Sequence, residues 1–276
     1  MIKRKYYSVR TGKVTDEKVD LDTFKRIFLM VYRQLSHDGY FQNYFGIDCT
    51  DGYLPGRLGE DIESIMFINL KKERLYPIER YINNYSEDDL FDVIEFLHDH
   101  CSAGLDGGHH SWNNCGYHYY TFNDEMGKDH FREVVNPILK EYKDGYEISV
   151  DGEILINSEN GLSNLFNAEI PTQDFENIQN KMDNAILKFR RHRSTLDDRK
   201  EAIRELADVM EFLRPEIKEH LDRKDESDLF NIVNNFGIRH HNKAQKVDYN
   251  KAVWYSWMFY YYLATIHTIL RITKKN

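Results

Sequence analysis

Near its C-terminus this chain carries a long stretch without a single charged residue. The stretch runs from Val253 to Leu270 and is rich in aromatic and aliphatic side chains. A helix of this composition is apolar on nearly every face, so we expect it to be covered twice, once by its own domain and once by a partner subunit. This favours a homodimer, and a monomer whose N-terminal domain covers the second face is the alternative. We interpret the aromatic run Trp254–Tyr262 as core rather than as a base-stacking surface.

The same stretch has about the minimum length of a membrane-spanning helix. Polar tips recur along it, however, and they are costly in hydrocarbon. They belong to Tyr255, Ser256, Tyr260, Tyr261, Tyr262 and His267. The first residues lack the apolar run of a signal peptide, and three cysteines do not make an even disulfide framework. We therefore predict a globular protein of the cytoplasm that does not insert into a membrane.

Charge differs between the two halves of the chain. Residues 1–170 carry 18 Lys and Arg against 30 Asp and Glu, a net charge of -12, whereas residues 171–276 carry 19 against 16, a net charge of +3. A mildly basic C-terminal half is compatible with a polyanion such as RNA, while the acidic N-terminal half would repel one or compete for the same basic surface. Ordinary variation in surface charge explains the difference equally well.

The N-terminal half predicts a mostly helical α+β domain. Apolar residues at helical spacing predict a helix over residues 24–35, and Ser86 with Asp89 resembles a capping box that opens another helix. Residues 52–59 predict a loop. Pro137 predicts a break or kink in a helix over residues 130–142, because proline lacks the amide donor and clashes with the preceding turn.

A β-hairpin is predicted to close this domain. Residues 146–156 alternate apolar and polar side chains around Asp151 and Gly152, a pair that suits the positive backbone angles of a tight turn. A turn-rich segment follows. The predicted organisation is an accessory or sensor domain, 1–158, a linker, 159–172, and a helical bundle, 173–276.

Four helical patterns follow the linker. The first has an apolar stripe from Phe175 to Phe189, and Ser194 with Asp197 is predicted to open the second. The third carries Leu229, Ile232, Val233 and Phe236, and the fourth covers about residues 250–272. Four helices with short connections imply a bundle.

A cationic and titratable cluster stands where the third of these helices is predicted to end. Arg239 is a permanent cation suited to phosphate, and His240 and His241 have unperturbed pKa values near neutral pH. Together they suit metal-free cleavage of a phosphodiester. The same residues also fit a basic helix C-terminus that complements the helix dipole, with Asn242 as the cap residue.

The C-terminal third of the chain resembles a HEPN domain, a small four-helix bundle found in prokaryotic toxins, abortive-infection proteins and CRISPR-associated ribonucleases. The resemblance covers roughly residues 171–276. It rests on the helical pattern, on Phe236-Gly-Ile-Arg-His-His-Asn242, and on a long final helix that begins Asp248-Tyr-Asn-Lys-Ala-Val-Trp-Tyr. It implies a mainly α fold, in which a four-helix HEPN-like bundle follows the mostly helical α+β domain and its β-hairpin.

Members of this family carry an Arg, then Asn, His or Asp, then a His about four to six residues after the Arg. Arg239 and His240 match the first two positions, while Lys243, Ala244 and Gln245 stand where the distal His is expected and His241 is the available substitute. The resemblance implies a catalytic set of Arg239, His240 and His241, with Asn242, Lys243 and Gln245 binding substrate.

The resemblance also implies a function. Catalytic HEPN proteins cut RNA without metal at a dimer interface, so we expect an endoribonuclease that leaves 2′,3′-cyclic phosphate ends and acts as a toxin or anti-phage abortive-infection effector. Its expected partners are RNA, with transfer RNA among the candidates, a second copy of the chain, and a neutralising or triggering partner. Family members without the full motif serve as binding or scaffold modules, which is the alternative for this chain.

Ligand-type side chains are also concentrated between His98 and His118. Cys115 and His118 have the spacing of a zinc-ligand pair, but no second Cys-x-x-Cys or Cys-x-x-His pair accompanies them. We predict no cofactor and keep as the alternative a structural zinc ion that joins this loop to the preceding helix, held by Cys101, His109, Cys115 and His118. Phosphate-binding and His-Glu-x-x-His motifs are missing, which disfavours nucleotide hydrolysis and zinc proteolysis.

Overall fold

A computed structural model describes residues 6–13, 17–112, 115–157, 163–166, 168–238 and 249–273. The chain divides into two compact units, Met1–Ile154 and Leu155–Asn276. Helices dominate, accompanied by small antiparallel strand pairs. Among the helices described, none has both the length and the apolar character needed to cross a membrane. The boundary between the two units lies before residues 159–172, and the assignment of those residues as a linker stays a prediction.

The described part of the first unit contains short and long helices with small two-stranded antiparallel sheets. Its helices are α1 (Tyr7–Arg10), α2 (Leu21–His37), α3 (Gln42–Phe45), α4 (Ile62–Leu70), α5 (Ile78–Tyr81), α6 (Glu87–Asp99) and α7 (Asp124–Leu139). Its strands are β1 (Ile47–Cys49), β2 (Gly52–Leu54), β3 (Ala103–His110), β4 (Gly116–Asn123) and β5 (Tyr146–Ile148). Strand β6 (Ile154–Ile156) pairs with β5.

Polar caps fix where the main helices of this unit begin. The Asp20 carboxylate accepts a hydrogen bond from the Thr23 amide, 2.8 Å away, and so starts α2. The predicted capping box of α6 is confirmed, because the Ser86 hydroxyl accepts from the Asp89 amide while Asp89 accepts from the Ser86 amide. The predicted helix over residues 24–35 is confirmed within α2.

The core of the first unit is aromatic. Phe24 of α2 stacks on Tyr142 with ring centroids 4.8 Å apart, and Phe91 of α6 meets Tyr142 edge on. Phe131 of α7 is fully buried. Burial of side chains of this size contributes roughly 1.5–3 kcal/mol each, so these contacts hold α2, α6 and α7 together.

The predicted loop over residues 52–59 was wrong in part, and a helix break at Pro137 was wrong. Part of the predicted loop over residues 52–59 is strand β2, which pairs with β1 through partners such as Ile47 and Leu54. Helix α7 continues through Pro137 and ends at Leu139. The helix ends two residues after Pro137, so the amide hydrogen bond that proline cannot make is one of the last in the helix.

The predicted hairpin over residues 146–156 is confirmed as β5 and β6. Its turn is closed by the Gly152 amide, which donates to the Ser149 carbonyl over 3.1 Å. Of the two predicted turn residues, only Gly152 has a positive φ, of 89°. Only Gly152 of the two turn residues therefore needs the conformational freedom of glycine.

The second unit is helical along most of its length. It contains α8 (Ser163–Phe166), a π-helical turn (Phe175–Gln179), α9 (Asn180–Arg190), α10 (Leu196–Phe212), α11 (Arg214–His220), α12 (Arg223–Asn235) and α13 (Lys251–Thr273). Helix α10 packs against α9 and α13. Phe189 and Phe259 stack with centroids 3.9 Å apart at the centre of this core.

The sequence pattern of the second unit needs two corrections. The capping box that opens α10 is formed by Thr195 and Asp198, one residue later than the predicted pair of Ser194 and Asp197. Phe175, the first member of the predicted apolar stripe, is 66% exposed at the start of the π-helical turn, whereas Met182 and Phe189 are buried. The predicted final helix is confirmed as α13.

Candidate functional site

The residues predicted to cleave and bind RNA belong to the segment between α12 and α13. They lie outside the described residues: Arg239, His240, His241, Asn242, Lys243 and Gln245. The residues on both sides of the segment are described, and their contacts show how its two ends are held.

Both ends of this segment are anchored near the end of α12. Gly237 has a φ of 69°, the left-handed conformation that commonly ends a helix. Ile238 is fully buried, and its carbonyl accepts a hydrogen bond from the Arg204 guanidinium over 3.0 Å. On the far side, the Tyr249 hydroxyl donates to the Phe236 carbonyl over 2.8 Å. The described residues on the two sides of the segment, Ile238 and Tyr249, therefore both lie close to the end of α12.

Helix α13 continues from the anchored segment with one buried and one exposed face. Tyr255, Phe259 and Tyr262 are buried, which confirms the core interpretation for these aromatic residues. The interpretation was wrong for Trp254 and Trp257, whose exposed fractions are 40% and 42%. The exposed face carries the apolar surface that the uncharged sequence predicts.

An open depression of about 680 Å³ lies on this exposed face. Trp257 and Tyr261 stack along its floor, with ring centroids 5.3 Å apart and an interplanar angle of 17°. The Arg199 side chain from α10 lines the same depression. Stacked aromatic rings beside a guanidinium form a surface that bases or apolar side chains can cover.

A second site lies in the first unit, where two hairpins bring Cys and His side chains together. Cys49 ends β1, and His110 ends β3. Cys115 immediately precedes β4, which carries His118. One ligand atom from each of these four residues lies within 4.8 Å of the corresponding atom of every other.

The register of the longer hairpin determines which histidines meet. His110 pairs with Gly116 and Gly108 pairs with His118, so both histidines project from one face of the ribbon. Their ring centroids are 5.2 Å apart. His109 is next to His110 in the sequence and is exposed on the opposite face, because successive strand residues alternate.

Individual contacts within the cluster are short. The Cys49 Sγ lies 3.4 Å from His110 Nδ1, and the Cys115 Sγ lies 3.1 Å from His118 Nε2. A tetrahedral zinc site with Zn–S of about 2.3 Å and Zn–N of about 2.0–2.1 Å implies S···N separations of roughly 3.5 Å. The two sulfur–nitrogen distances are therefore close to those of a zinc centre.

The surroundings of the thiols are polar. Burial raises the pKa of the Cys115 thiol, and the neighbouring Cys49 thiol raises it further, whereas the Thr50 amide lowers it. The Asp51 amide donates to Cys49 Sγ over 3.4 Å. The turn between β1 and β2 thus places a backbone N–H group against the Cys49 sulfur. A divalent cation would favour the deprotonated thiolates of both residues.

Two of the four metal ligands proposed from the sequence belong to this cluster, namely Cys115 and His118. Cys101 does not, because it is fully buried, its thiol donates to the Gly127 carbonyl over 3.5 Å, and burial raises its pKa to about 12. His109 faces the other way. The loop is thus linked with the β1–β2 turn rather than with the helix that precedes it.

Sequence reasoning missed Cys49, and it left His110 out of the four favoured zinc ligands although His110 lies in the same ligand-rich segment. Cys49 is 61 residues away from His110, so no motif spacing connects them. The signal that could have indicated Cys49 is its place ahead of Thr50, Asp51 and Gly52, because a thiol at a tight turn receives amide donors as ligating cysteines do.

Two regions thus carry the chemistry of the chain, the segment between α12 and α13 and the Cys/His cluster of the first unit. They contain different chemistry, cationic and titratable groups in one and soft metal ligands in the other. Comparison with protein-family models, with curated proteins and with solved structures finds nothing that matches this chain.

Proposed function

We propose that this chain is a metal-independent RNA endonuclease that acts as a toxin or abortive-infection effector, with Arg239 at its active site. The observation that supports the proposal is the anchoring of the flanks. Arg204 holds the Ile238 carbonyl and Tyr249 holds the Phe236 carbonyl, so the described residues on both sides of the segment are held in place. A catalytic group needs such restraint, because small displacements cost large factors in rate.

The chemistry needs one cation and two proton-transfer groups. Arg239 would bind the scissile phosphate and stabilise the negative charge that develops on it. His240 or His241 would remove the proton of the ribose 2′-hydroxyl, which then attacks the phosphorus. A counterpart histidine from a second copy would protonate the departing 5′-oxygen. The products are a 2′,3′-cyclic phosphate and a free 5′-hydroxyl.

The remaining polar residues of the segment have supporting roles in this proposal. Asn242 and Gln245 would orient the histidines or contact ribose, and Lys243 would contact a flanking phosphate. The exposed face of α13, with Trp257 and Tyr261, would pack against the same face of a second copy, forming an α-helical dimer interface. The first unit would sense a trigger or restrain the nuclease.

The test is an RNA cleavage assay in EDTA with total RNA and defined transfer RNAs. Wild-type protein should give fragments with cyclic phosphate ends, and Arg239→Ala should abolish them. Arg223→Ala, which removes an exposed guanidinium at the start of α12, should cleave like wild type. Cleavage by folded Arg239→Ala protein at the wild-type rate would refute the proposed role of Arg239.

A non-catalytic binding module is the second candidate function. The aromatic depression of Trp257, Tyr261 and Arg199 supports it, because a stacking surface with a cation can hold a nucleotide or an RNA base without cutting. The absence of the distal motif histidine supports it as well. A double variant, His240→Ala with His241→Ala, separates the two functions. If the chain is a nuclease, the variant should lose RNA cleavage and still bind RNA. If the chain is a binding module, the wild-type protein should leave RNA intact and the variant should bind it as the wild type does.

A further inference from the structure

We propose that Cys49, His110, Cys115 and His118 bind one structural zinc ion, and that Asp51 orients His110 toward it. The site is separate from the proposed nuclease chemistry, which uses no metal. It joins the two hairpins of the first unit, β1–β2 and β3–β4, through side chains that lie far apart in the sequence.

The donor set selects the metal. Two thiolates and two imidazoles are soft and borderline ligands that suit zinc and disfavour magnesium or calcium, which prefer oxygen. When zinc binds, each thiol releases its proton to solvent, and the two thiolate charges neutralise the ion. Four protein ligands complete a tetrahedron and leave no position for water or substrate, so the role of the ion is structural.

The separations between the ligand atoms are already close to those of a tetrahedral zinc site. The ligand atoms lie within 4.8 Å of one another, and two S···N pairs are already at 3.4 and 3.1 Å. Contraction of the widest separations by about 1 Å reaches tetrahedral values. Cys49, His110 and His118 lie in paired strands and Cys115 immediately precedes β4, so the hairpins set the backbone positions and the adjustment falls to the side chains.

Asp51 supplies the outer contact that zinc-bound histidines normally have. Its Oδ2 lies 3.4 Å from His110 Nε2, while His110 Nδ1 faces the Cys49 sulfur. A carboxylate on one ring nitrogen fixes the tautomer that presents the other nitrogen to the metal. The Asp51 amide contacts the Cys49 sulfur as well, so one residue supports two ligands.

The hairpins also need an additional source of stability. Strands β1 and β2 each contain three residues, and Leu54 at the end of β2 is 54% exposed. Strand β3 includes Gly107 and Gly108, which weaken a strand because they contribute no side-chain packing. Two-stranded hairpins have little stability of their own in water, and a metal cross-link between two of them adds to it.

Zinc can reach the cluster from solvent. An open cavity of about 360 Å³ borders it and is lined by Cys49, His110 and His118, with Tyr53 and Tyr120 at its sides. A route of this kind lets a chelator or a competing ion exchange with the site without unfolding of the first unit.

The test is a metal titration of the full-length chain. Wild-type protein should contain about one zinc per chain by elemental analysis. Replacement with Co²⁺ should give the intense visible bands of tetrahedral cobalt and a sulfur-to-metal charge-transfer band of a strength that corresponds to two thiolates. This spectrum reports the ligand set in the wild-type chain and so requires no variant to fold.

Variants then assign the ligands. Cys49→Ser should lower Co²⁺ affinity by about 100-fold or more and halve the charge-transfer band of whatever metal remains bound. His109→Gln changes the neighbouring histidine on the opposite face and should bind Co²⁺ like wild type. A wild-type chain without stoichiometric metal, a Cys49–Cys115 disulfide in its place, or an unchanged spectrum in Cys49→Ser would overturn the proposal. None of these readouts depends on RNA cleavage.

Discussion

The two chemically distinctive regions of this molecule are assembled in opposite ways. The proposed nuclease residues are contiguous in the sequence, from Arg239 to Gln245, and the described residues on either side of their segment are held by single hydrogen bonds. The Cys/His cluster gathers residues from positions 49 to 118, and its members meet only because two hairpins fold against each other. A contiguous motif can be recognised before its geometry is known, whereas a dispersed cluster becomes visible only through the pairing of its strands.

This contrast predicts different responses to perturbation. The dispersed cluster should lose metal binding and its stabilising effect together, because the loss of one ligand removes the cross-link between the two hairpins. Loss of one anchor of the contiguous segment should lower stability and RNA cleavage only in part. Its two anchors are single hydrogen bonds at separate carbonyls, each worth about 1 kcal/mol. The predictions below test these two behaviours.

Metal removal should have the largest effect. Stripping zinc with a strong chelator should raise amide hydrogen exchange on the order of 100-fold in residues 47–54 and 103–112, because the cross-link stabilises the folded hairpins. Helices α9 and α10 should exchange at unchanged rates. Hydrogen exchange with mass spectrometry measures both regions in one experiment, and re-addition of zinc should restore protection.

Equal acceleration in the hairpins and in α9 and α10 would show that metal is not a local cross-link. The matched control is the same chelator treatment of Cys49→Ser, which should already exchange rapidly and respond little. A Cys49→Ser chain that keeps wild-type protection would remove the basis of the contrast between the two regions.

Features formed by neighbouring residues could be predicted from the sequence, whereas features formed by distant residues could not. Helices were predictable wherever local signals dominate, as with Ser86 and Asp89 at the start of α6, because a capping box is written in neighbouring residues. The β3–β4 hairpin was not predicted, because Gly104, Gly107 and Gly108 weaken the alternation that identifies a strand.

The candidate metal site was half predictable for the same reason. Cys115 and His118 lie three positions apart and have a recognisable spacing, whereas Cys49 and His110 enter through strand register. Cys101 was a reasonable candidate by composition, but its thiol is fully buried elsewhere in the first unit. Sequence proximity favoured Cys101, whereas the structure places Cys49 beside His110, because tertiary pairing decides which side chains meet.

Asp51→Asn should have the second largest effect. The variant keeps the side-chain shape and removes the charge that orients His110, so zinc affinity should fall roughly 10–100-fold while the stoichiometry stays at one. Competition with a chromophoric chelator measures the affinity. Asp48→Asn, an exposed carboxylate on the same short hairpin, is the matched control and should bind zinc like wild type. Equal losses in both variants would indicate general electrostatic attraction instead of orientation.

Loosening one anchor of the contiguous segment should have a smaller effect. Tyr249→Phe removes only the hydroxyl that donates to the Phe236 carbonyl, so the free energy of unfolding of the second unit should fall by about 1 kcal/mol. If the nuclease proposal holds, RNA cleavage should slow without changing the ends of the products. Denaturant titration and end analysis measure the two effects.

Tyr6→Phe, which removes a hydroxyl from a highly exposed tyrosine, should change neither stability nor cleavage. Arg204→Met tests the other anchor, because it keeps the alkyl stem and removes the donor to the Ile238 carbonyl. If cleavage falls as completely in either anchor variant as in Arg239→Ala, the segment responds as a unit and the proposed partial response is wrong.

The two capping boxes provide the mildest comparison, because each unit has one that depends on an aspartate. Burial raises the pKa of Asp89, but hydrogen bonds from Ser86 and Lys72 outweigh it and leave the pKa below the ordinary value of 3.8. Hydrogen bonds from Thr195 lower the pKa of Asp198. Because folding lowers both pKa values, each contribution to stability is complete above about pH 4 and is lost as the pH falls through the folded pKa.

Ser86→Ala should therefore cost about 1 kcal/mol at neutral pH and less in acid, where Asp89 is protonated in both the folded and the unfolded chain. Thr195→Ala should show the same pH trend in the second unit. Asp89 also pairs with Lys72, whose Nζ lies 2.9 Å from its Oδ1, so acid should destabilise the α6 cap more than the α10 cap. Hydrogen exchange of the first turns of α6 and α10 between pH 3 and pH 6 measures this difference. A cap effect that is constant over this range would show that the carboxylates do not contribute through their charge.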